Sequence, residues 1–179
     1  MHPVRAPRIA GRLVTLRPFL DSDISPSYLG WLNDPTTMRW SNQRFRHHTY
    51  ESCRAYRGGF EDTPNLFLAI EARSDGAVLG TMTAYVAEQH GTADMGILVG
   101  EREAWGKGVG LEAWTLLMEW LLHTRGLRKV TGGTLDANVG MVRIMERSGM
   151  QLEGRRLRQE LVDGVAHDVL YFGRFRDGC

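Results

Sequence analysis

Cysteine and long apolar runs are both scarce in this chain. Only Cys53 and Cys179 occur among its 179 residues, too few for a disulfide framework or a cysteine-rich zinc site, and no metal site is expected. The most apolar window, residues 114–122, is short and contains Glu119, so no membrane-spanning helix is expected. Because Arg5 is not followed by an apolar run, no signal peptide is expected either. A cytoplasmic location is therefore the expectation.

The chain also lacks an excess of either charge. Its 22 basic and 21 acidic residues give a net charge of +1, so no whole-molecule field is available to hold nucleic acid or an anionic membrane. Hydrophobic residues make up 42% of the chain, which is typical of a globular protein. A chain of 179 residues is long enough to bury one full core. We therefore predict a single domain spanning residues 1–179.

The hydrophobic pattern predicts groups of strands and helices within one α/β (α+β) domain. Alternating apolar residues predict strands, and apolar residues three and four positions apart predict helices. Strands are predicted over residues 12–17, 66–72, 78–86, 93–99, 127–135, 151–161 and 166–175. Helices are predicted over residues 21–32, 49–58, 108–123 and 138–148. The resulting order of elements is β-αα-βββ-α-β-α-ββ.

The segment Trp105–Ala113, which reads W-G-K-G-V-G-L-E-A, carries the strongest functional signal. Its glycines stand at alternate positions directly before the clearest helical pattern of the chain. Glycine lets backbone N–H groups turn toward a ligand and lets the ligand approach closely. A helix start adds unpaired N–H groups and the positive end of the helix dipole. The segment is predicted to bind a phosphate group, and a glycine-rich helix start without a ligand is the alternative.

Two known phosphate-binding motifs are candidates for this segment. Residues Gly108–Ala113 satisfy the dinucleotide fingerprint G-x-G-x-x-A, and Asp136 lies near the end of the next predicted strand. A nicotinamide-linked oxidoreductase is therefore a rival interpretation. It is weakened because that fingerprint belongs to the first strand–helix turn of its fold, whereas antiparallel strands are predicted before it here. A Walker loop fails because no serine or threonine follows Lys107.

The same segment resembles the acetyl-CoA pyrophosphate loop of the GNAT N-acetyltransferases, whose pattern is Q/R-x-x-G-x-G/A. Residues Asn138–Met150, which read N-V-G-M-V-R-I-M-E-R-S-G-M, are similar to the family's N-x-x-S-x-R-x-x-E-K-x-G-F. The likeness covers nearly the whole chain and is strongest to the branch of ribosomal-protein-alanine and nucleotide-amino-sugar acetyltransferases. Shorter segments that also resemble this branch are L-R-P at Leu16–Pro18, W-L-N-D-P at Trp31–Pro35 and L-E-G-R at Leu152–Arg155.

The resemblance implies a fold, a cofactor and a reaction. The fold is a mixed, mostly antiparallel central sheet of about seven strands flanked by about four helices, with a cofactor cleft where strands 4 and 5 splay apart. The cofactor is acetyl-CoA. The acetyl group is transferred to a primary amine of a small molecule, with an amino-sugar nucleotide as one candidate, or to a protein N-terminus. No nucleic acid or membrane partner is implied, and a homodimer is a candidate assembly.

By the resemblance, most cofactor contacts come from backbone groups. Residues 97–99 pair with the pantetheine amides, and loop N–H groups bind the pyrophosphate. Asn138 matches an asparagine near the cofactor sulfur, although a helix N-cap is an equal alternative for it. Arg143 matches an arginine that reaches a cofactor phosphate. The implied cofactor-binding residues are Ile97, Leu98, Val99, Trp105, Gly106, Lys107, Gly108, Val109, Gly110, Leu111, Asn138 and Arg143.

The resemblance is weaker for the groups that move protons. Asp94 stands where the branch often carries a glutamate and is the candidate base, acting through a water; a solvated strand-edge aspartate is the alternative. Met141 and Met145 occupy the usual donor positions, and neither side chain can donate a proton. Because a thiol has a pKa of about 8.5, the thiolate can leave without an acid. A catalytically silent acyl-CoA-binding protein is a further alternative.

The acceptor site is implied to involve residues 38–48, between the helical half and the last strand pair. Arg39, Arg44 and Arg46, with the rings of Trp40 and Phe45, can hold a phosphorylated or nucleotide-linked acceptor by charge and stacking. The same arginines would repel a cationic polyamine. A solvated surface loop with buried aromatic side chains is the alternative.

Overall fold

The computed structural model of the protein describes residues 7–178. Arg5, Cys179 and the outermost ends of the predicted domain lie outside the described residues. The strands of this part are β1 (Ile9–Ala10), β2 (Val14–Pro18), β3 (Leu66–Ala72), β4 (Val78–Ala87), β5 (Thr92–Val99), β6 (Lys129–Leu135), β7 (Gln151–Val162) and β8 (Val165–Phe175). Its α-helices are α1 (Pro26–Asn33), α2 (Tyr50–Gly58), α3 (Val109–Glu119) and α4 (Val139–Arg147).

The strands form one sheet in the order β1-β2-β3-β4-β5-β6-β8-β7. Neighbouring strands are antiparallel except for the parallel pair β5 and β6. The prediction of a mixed, mostly antiparallel sheet is confirmed. The sheet has eight strands within residues 7–178, because β1 adds a two-residue strand that is too short to show periodicity.

The parallel strands β5 and β6 are joined over a short distance only. Their register pairs are Thr92 with Lys129, Ala93 with Val130, and Asp94 with Thr131. Beyond these pairs, β5 continues along β4 up to Val99, while β6 continues along β8. The facing edges of β5 and β6 therefore separate, which confirms the splayed cleft predicted between the fourth and fifth strands of the sequence pattern.

Helices cover both faces of the sheet, and the alternation of side chains along each strand divides the core. In β3, Leu68 packs in the cluster that contains Trp114 of α3 and Met145 of α4. The neighbouring Phe67 instead packs with residues of α1 and α2, and its ring stacks on Phe19 with centroids 4.4 Å apart. The period of two residues in strands produces this division. One face thus carries α3 and α4, and the other carries α1 and α2.

The predicted start of the first helix at Asp21 or Ser22 is wrong. A short 3-10 turn occupies that position, and α1 begins after Ser25, whose hydroxyl accepts the Tyr28 N–H at 3.1 Å. Pro26 takes the first helical position, where its missing N–H costs no hydrogen bond. The helix therefore starts at the proline rather than at the earlier acidic residues.

The starts of the second and third helices agree with their predicted positions. The hydroxyl of Thr49 caps α2 by accepting the Ser52 N–H at 3.2 Å. Helix α3 begins at Val109, one residue after the predicted start, and a π-helical turn over Trp120–Thr124 completes the predicted length. No helix of residues 7–178 has both the length and the hydropathy needed to cross a membrane.

A single carboxylate connects the start of α3 to the first long strand. Glu112 accepts the backbone N–H groups of Arg12, Leu13 and Val14 at 3.1, 2.7 and 2.9 Å. The amides of Leu13 and Val14 are partly buried, whereas that of Arg12 is exposed. A half-buried amide without an acceptor is costly. The contact holds the first turn of α3, and the glycine segment before it, against β2.

We expect Glu112→Ala to lower the free energy of unfolding by about 2–4 kcal/mol, because the substitution leaves backbone amides without an acceptor. Urea unfolding followed by circular dichroism measures this loss. Glu146→Ala is the matched control, since Glu146 is exposed on α4 and forms no ion pair with any described residue. Equal unfolding midpoints for the two variants would contradict this role of Glu112.

Candidate active site

The glycine segment forms a tight turn that only glycine adopts without strain. Gly106 and Gly108 have φ values of 72° and 85°, in the left-handed region that side chains disfavour. Gly108 is the N-cap residue of α3, and no side chain caps that helix. The turn places the backbone, rather than side chains, at the start of α3.

The first backbone N–H groups of α3 are unpaired among the described residues. Glu112 is the first residue of the helix whose N–H is bonded, to the Gly108 carbonyl at 3.0 Å. The N–H groups of Val109, Gly110 and Leu111 have no acceptor within the described part of the chain. Unpaired amides at the positive end of a helix favour an anion such as a phosphate. Lys107, exposed in the same turn, adds a positive charge.

The side chain of Trp105 anchors the glycine segment to the end of β5. Its indole N–H donates to the Val99 carbonyl at 2.7 Å, while about half of the side chain stays exposed. The Val99 carbonyl, which belongs to the predicted pantetheine-binding edge, is therefore already bonded. The backbone of Ile97 and Leu98 lies on the stretch of β5 that has no β6 neighbour.

Helix α4 packs closely behind the glycine segment. A Cβ added to Gly110 would lie 3.0 Å from Cδ1 of Ile144 and 3.6 Å from Cγ2 of Val99, so glycine allows α3, α4 and β5 to approach. Asn138 caps α4, with its Oδ1 accepting the Met141 N–H at 3.3 Å. The helix-cap alternative for Asn138 is thus present.

The other α4 residues of the predicted site differ in exposure. Arg143 is exposed, and its side chain has no partner in the described chain. Met141 is half-buried, whereas Met145 is fully buried in the core between the sheet and α3. Neither methionine supplies a proton donor.

Asp94 stands at the point where β5 and β6 begin to separate. It is the last residue of β5 that pairs with β6, and its Oδ1 accepts the Thr131 hydroxyl at 2.7 Å. The Asp94 side chain is exposed at the strand edge, yet the protein around the carboxyl removes part of its solvation and raises its pKa, and the hydrogen bond from Thr131 opposes this rise. A raised pKa makes a carboxylate a better base near neutral pH.

A cavity of about 290 Å³ lies on the face covered by α1 and α2, beside the unpaired stretch of β5. No aspartate or glutamate of residues 7–178 lines it, so the described residues offer no counter-charge to an ammonium group. Its lining residues are Tyr28, Leu32, Met38, Ser41, Gln43, Arg46, His47, His48, Ser52, Cys53, Tyr56, Phe67, Thr81, Thr83, Gly96, Ile97 and Leu98. We call it the amine cavity below. Asp94 is not among its lining residues.

Several polar groups of the amine cavity were not predicted from the sequence. Burial raises the pKa of the Tyr28 and Tyr56 phenols and of the Cys53 thiol, so all three stay protonated at neutral pH. The Tyr56 hydroxyl lies 2.7 Å from the Tyr85 hydroxyl, and Tyr85 is the β4 partner of Asp94 in the strand register. These residues come from separate elements, and no local motif joins them.

The predicted acceptor residues lie against the β7–β8 hairpin. Arg39 forms an ion pair with Asp163 at 3.3 Å and covers the Trp40 ring at 4.7 Å. Trp40 packs in a small apolar cluster with Leu135 of β6 and with Val162 and Val169 of the hairpin. Arg44 donates to the Leu161 carbonyl at 2.8 Å. Arg39 and Arg44 line a second, open pocket of about 820 Å³, and Trp40 lines neither this pocket nor the amine cavity.

The arrangement combines a helix start with unpaired N–H groups, an open strand edge and a cavity that meets this edge from the other face. Residues 13–151 match the pattern of a protein family described as "Acetyltransferase (GNAT) domain". The chain therefore belongs to the GNAT acetyltransferase family. A dinucleotide-binding fold would place the glycine fingerprint in the first turn of a parallel sheet, and an antiparallel meander precedes it here.

Individual proteins resemble this chain at low sequence identity. A probable N-acetyltransferase of Bacillus subtilis (strain 168), YjcK, is 25% identical over 115 residues, and the match covers 63% of each chain. The chain thus matches less than two thirds of that relative's length. Spermidine N-acetyltransferase from Vibrio cholerae, solved in complex with CoA and spermine, is 17% identical with a TM-score of 0.80, over 92% of this chain and 96% of that chain. RimL, a ribosomal L7/L12 α-N-protein acetyltransferase solved in complex with coenzyme A, is 16% identical with a TM-score of 0.81, over 94% and 97%. These two structures share the fold of this protein.

We expect Asp94→Asn to raise the free energy of unfolding at neutral pH and to leave it unchanged at acidic pH. An acid whose pKa is raised on folding contributes most stability below its unfolded pKa, and this contribution is lost as pH rises through the folded pKa. The amide keeps an oxygen for the Thr131 hydroxyl but has no charge to desolvate.

Thermal unfolding across pH tests this expectation, and the gap between variant and wild type should open above the unfolded aspartate pKa of about 3.9. Asp75→Asn in the exposed turn between β3 and β4 is the matched control. A gap that is equal in both variants, or that closes as pH rises, would count against the desolvation of Asp94.

Proposed function

We propose that the protein transfers the acetyl group of acetyl-CoA to a primary amine. The observation that carries this proposal is that the N–H groups of Val109, Gly110 and Leu111 have no acceptor among the described residues. They lie at the open end of the gap between β5 and β6. A pyrophosphate has the charge and the acceptor oxygens that such a helix start binds. Membership of the GNAT family supports the assignment.

The residues present fit this cosubstrate in both parts of the site. The turn from Gly106 to Leu111, with the charge of Lys107, holds the pyrophosphate. The free edge of β5 at Ile97 and Leu98 pairs with the amides of the pantetheine arm. Arg143 is exposed and unpaired among the described residues, so it is available for a phosphate. Trp105 acts here by fixing the turn to Val99.

Acetyl-CoA supplies an acyl group on a thiol leaving group. The amine nitrogen forms a bond to the acetyl carbon as the carbon–sulfur bond breaks, the thiolate takes up a proton, and the amine loses one. The amine reaches the β5 edge from the amine cavity, where the absence of carboxylate lining favours the neutral form of the amine. Backbone N–H groups of β5 stabilise the charge that develops on the carbonyl oxygen.

Asp94 acts as the base in this proposal, through a water. Its raised pKa moves the carboxyl toward the range where it can take a proton. Met141 and Met145 cannot reprotonate the thiolate, so this proton comes from solvent or from the amine. A thiol pKa of about 8.5 makes such a mechanism sufficient.

The acceptor classes that we propose are a small-molecule amine, with an amino-sugar nucleotide as one candidate, and a protein N-terminus. The neighbour solved with spermine is a spermidine acetyltransferase, and RimL is a ribosomal L7/L12 acetyltransferase. Arg39 is paired with Asp163, but Arg44 forms no ion pair with any described residue and disfavours a polyamine here, since like charges repel. A cytoplasmic location and a homodimer stay predictions.

Calorimetry and a coupled thiol assay test the function. We expect acetyl-CoA to bind and NADH not to bind, and we expect thiol release with at least one amine of a panel. Binding of NADH without binding of acetyl-CoA would overturn the proposal. Binding of acetyl-CoA without thiol release for any amine would favour the silent acyl-CoA-binding protein.

We expect Gly108→Val to weaken acetyl-CoA binding by at least about tenfold, because its side chain fills the approach of the pyrophosphate and each charge-assisted hydrogen bond contributes about 1.5–3 kcal/mol. Gly76→Val is the matched control, since Gly76 has a similar φ of 77° in an exposed hairpin turn. Calorimetric titration with acetyl-CoA separates the two. Equal affinities in both variants would remove the pyrophosphate from this turn.

We expect Asp94→Asn to lower kcat and to remove the acidic limb of the kcat/KM profile against pH. In the wild type this limb should lie above the usual aspartate range, because desolvation raises the pKa of Asp94. Steady-state thiol release at saturating acetyl-CoA across pH gives the profile. An acidic limb that persists in the variant would assign the base to another group.

A further inference from the structure

The amine cavity and the second pocket are adjacent. Residues of the segment 32–47 line both spaces, and the second pocket extends to the turn between β7 and β8. The residues that line both are Leu32, Met38, Arg46 and His47. A molecule that fills the amine cavity therefore meets side chains that also line the second pocket.

The carboxylates of the second pocket are already paired. Arg102 donates to Asp34 at 2.6 Å, and Arg39 pairs with Asp163 at 3.3 Å. Hydrogen bonds from Thr37 and Arg102 lower the pKa of Asp34 to about 2. Both negative charges are thus bound to their own partners and do not offset other cations of the pocket.

Two guanidinium groups of the second pocket have no carboxylate partner among the described residues. Arg44 donates to the carbonyls of Ser41 and Leu161 at 2.9 and 2.8 Å and lies 4.2 Å from the centroid of the Phe45 ring. These contacts fix its orientation but leave its charge uncompensated. The exposed Arg46 side chain forms no hydrogen bond or ion pair with residues 7–178. Uncompensated guanidinium groups are favoured partners of phosphates and carboxylates.

The cationic side chain that lines the amine cavity is Arg46, which the cavity shares with the second pocket together with the adjacent His47. No aspartate or glutamate of residues 7–178 lines the cavity. An acceptor with several ammonium groups would therefore meet no unpaired carboxylate of the described residues in either space. An acceptor with one amine and one anion would place the amine by the β5 edge and the anion near the arginines.

We propose that the acceptor is a small molecule that carries both a primary amine and an anionic group, a phosphate or a carboxylate. The amine occupies the amine cavity, and the anion is bound in the second pocket by Arg44 and Arg46. This specificity rests on the proposed acetyl transfer. A peptide N-terminus and a polyamine are outcomes of the test below.

Matched pairs of amines measure the preference for an anion. Glucosamine 6-phosphate is compared with glucosamine, and 6-aminohexanoate with hexylamine, by thiol release at saturating acetyl-CoA. We expect the anionic member of at least one pair to have a kcat/KM higher by about 10- to 100-fold, the range of a charge-assisted hydrogen bond. The pair with the larger ratio distinguishes phosphate from carboxylate.

Arg46→Gln is expected to bring this ratio close to one, and Arg147→Gln is the matched control. Arg147 is exposed on α4 and lines neither space, so its substitution should leave the ratio unchanged. Equal kcat/KM values within both pairs in the wild type would overturn the proposal. A higher kcat/KM with spermidine or with an alanine-terminated peptide would also overturn it.

Titration with inorganic phosphate separates this proposal from the proposed function. If no amine releases thiol, the acetyl transfer itself is contradicted. Phosphate binding that Arg46→Gln weakens and Arg147→Gln preserves would then still support the anion site. Absence of phosphate binding to the wild type, or equal binding to both variants, would overturn it.

Discussion

The point at which two parallel strands stop pairing determines the rest of this structure. β5 and β6 share register pairs only up to Asp94 and Thr131, and each then remains held by its other neighbour. The chain leaves the open end of β5, passes through the glycine turn and returns as α3. The unpaired amides of Val109 to Leu111 are therefore located beside Val99, at the end of β5 that has no β6 neighbour. The free edge of β5, the start of α3 and the Asp94 carboxylate thus all lie along the gap that opens where β5 and β6 stop pairing.

The alternation of side chains in β5 keeps the two sides of this gap chemically different. Ile97 packs with the cluster of α3 and α4, whereas Leu98 packs with the cluster of α1 and α2. The backbone between them is common to both faces. A ligand held on one face can thus meet a ligand from the other at the strand itself, without a channel through the core.

Local signals were sufficient for most elements and for the glycine turn. Periodicity located β3 to within its observed bounds, and the Thr49 cap located α2, because both depend on neighbouring residues. The start of the first helix was misplaced since the acidic residues before it resemble a cap, although Ser25 followed by Pro26 is the start signal that the helix uses. The segment 38–48, predicted to line the acceptor site, contributes to the amine cavity, whereas Tyr28, Cys53 and Thr83 were missed because they come from different elements. The ion pair of Arg39 with Asp163 likewise joins residues that only the folded hairpin brings together.

The three-amide contact of Glu112 has a consequence for the charge at the start of α3. A carboxylate in the first turn of a helix is attracted by the free amides of that turn, where it would act as an internal competitor of any incoming anion. In this protein the backbone of Arg12 to Val14 engages Glu112 instead. The backbone at the start of β2 thereby binds this carboxylate, and the first amides of α3 have no acceptor among the described residues.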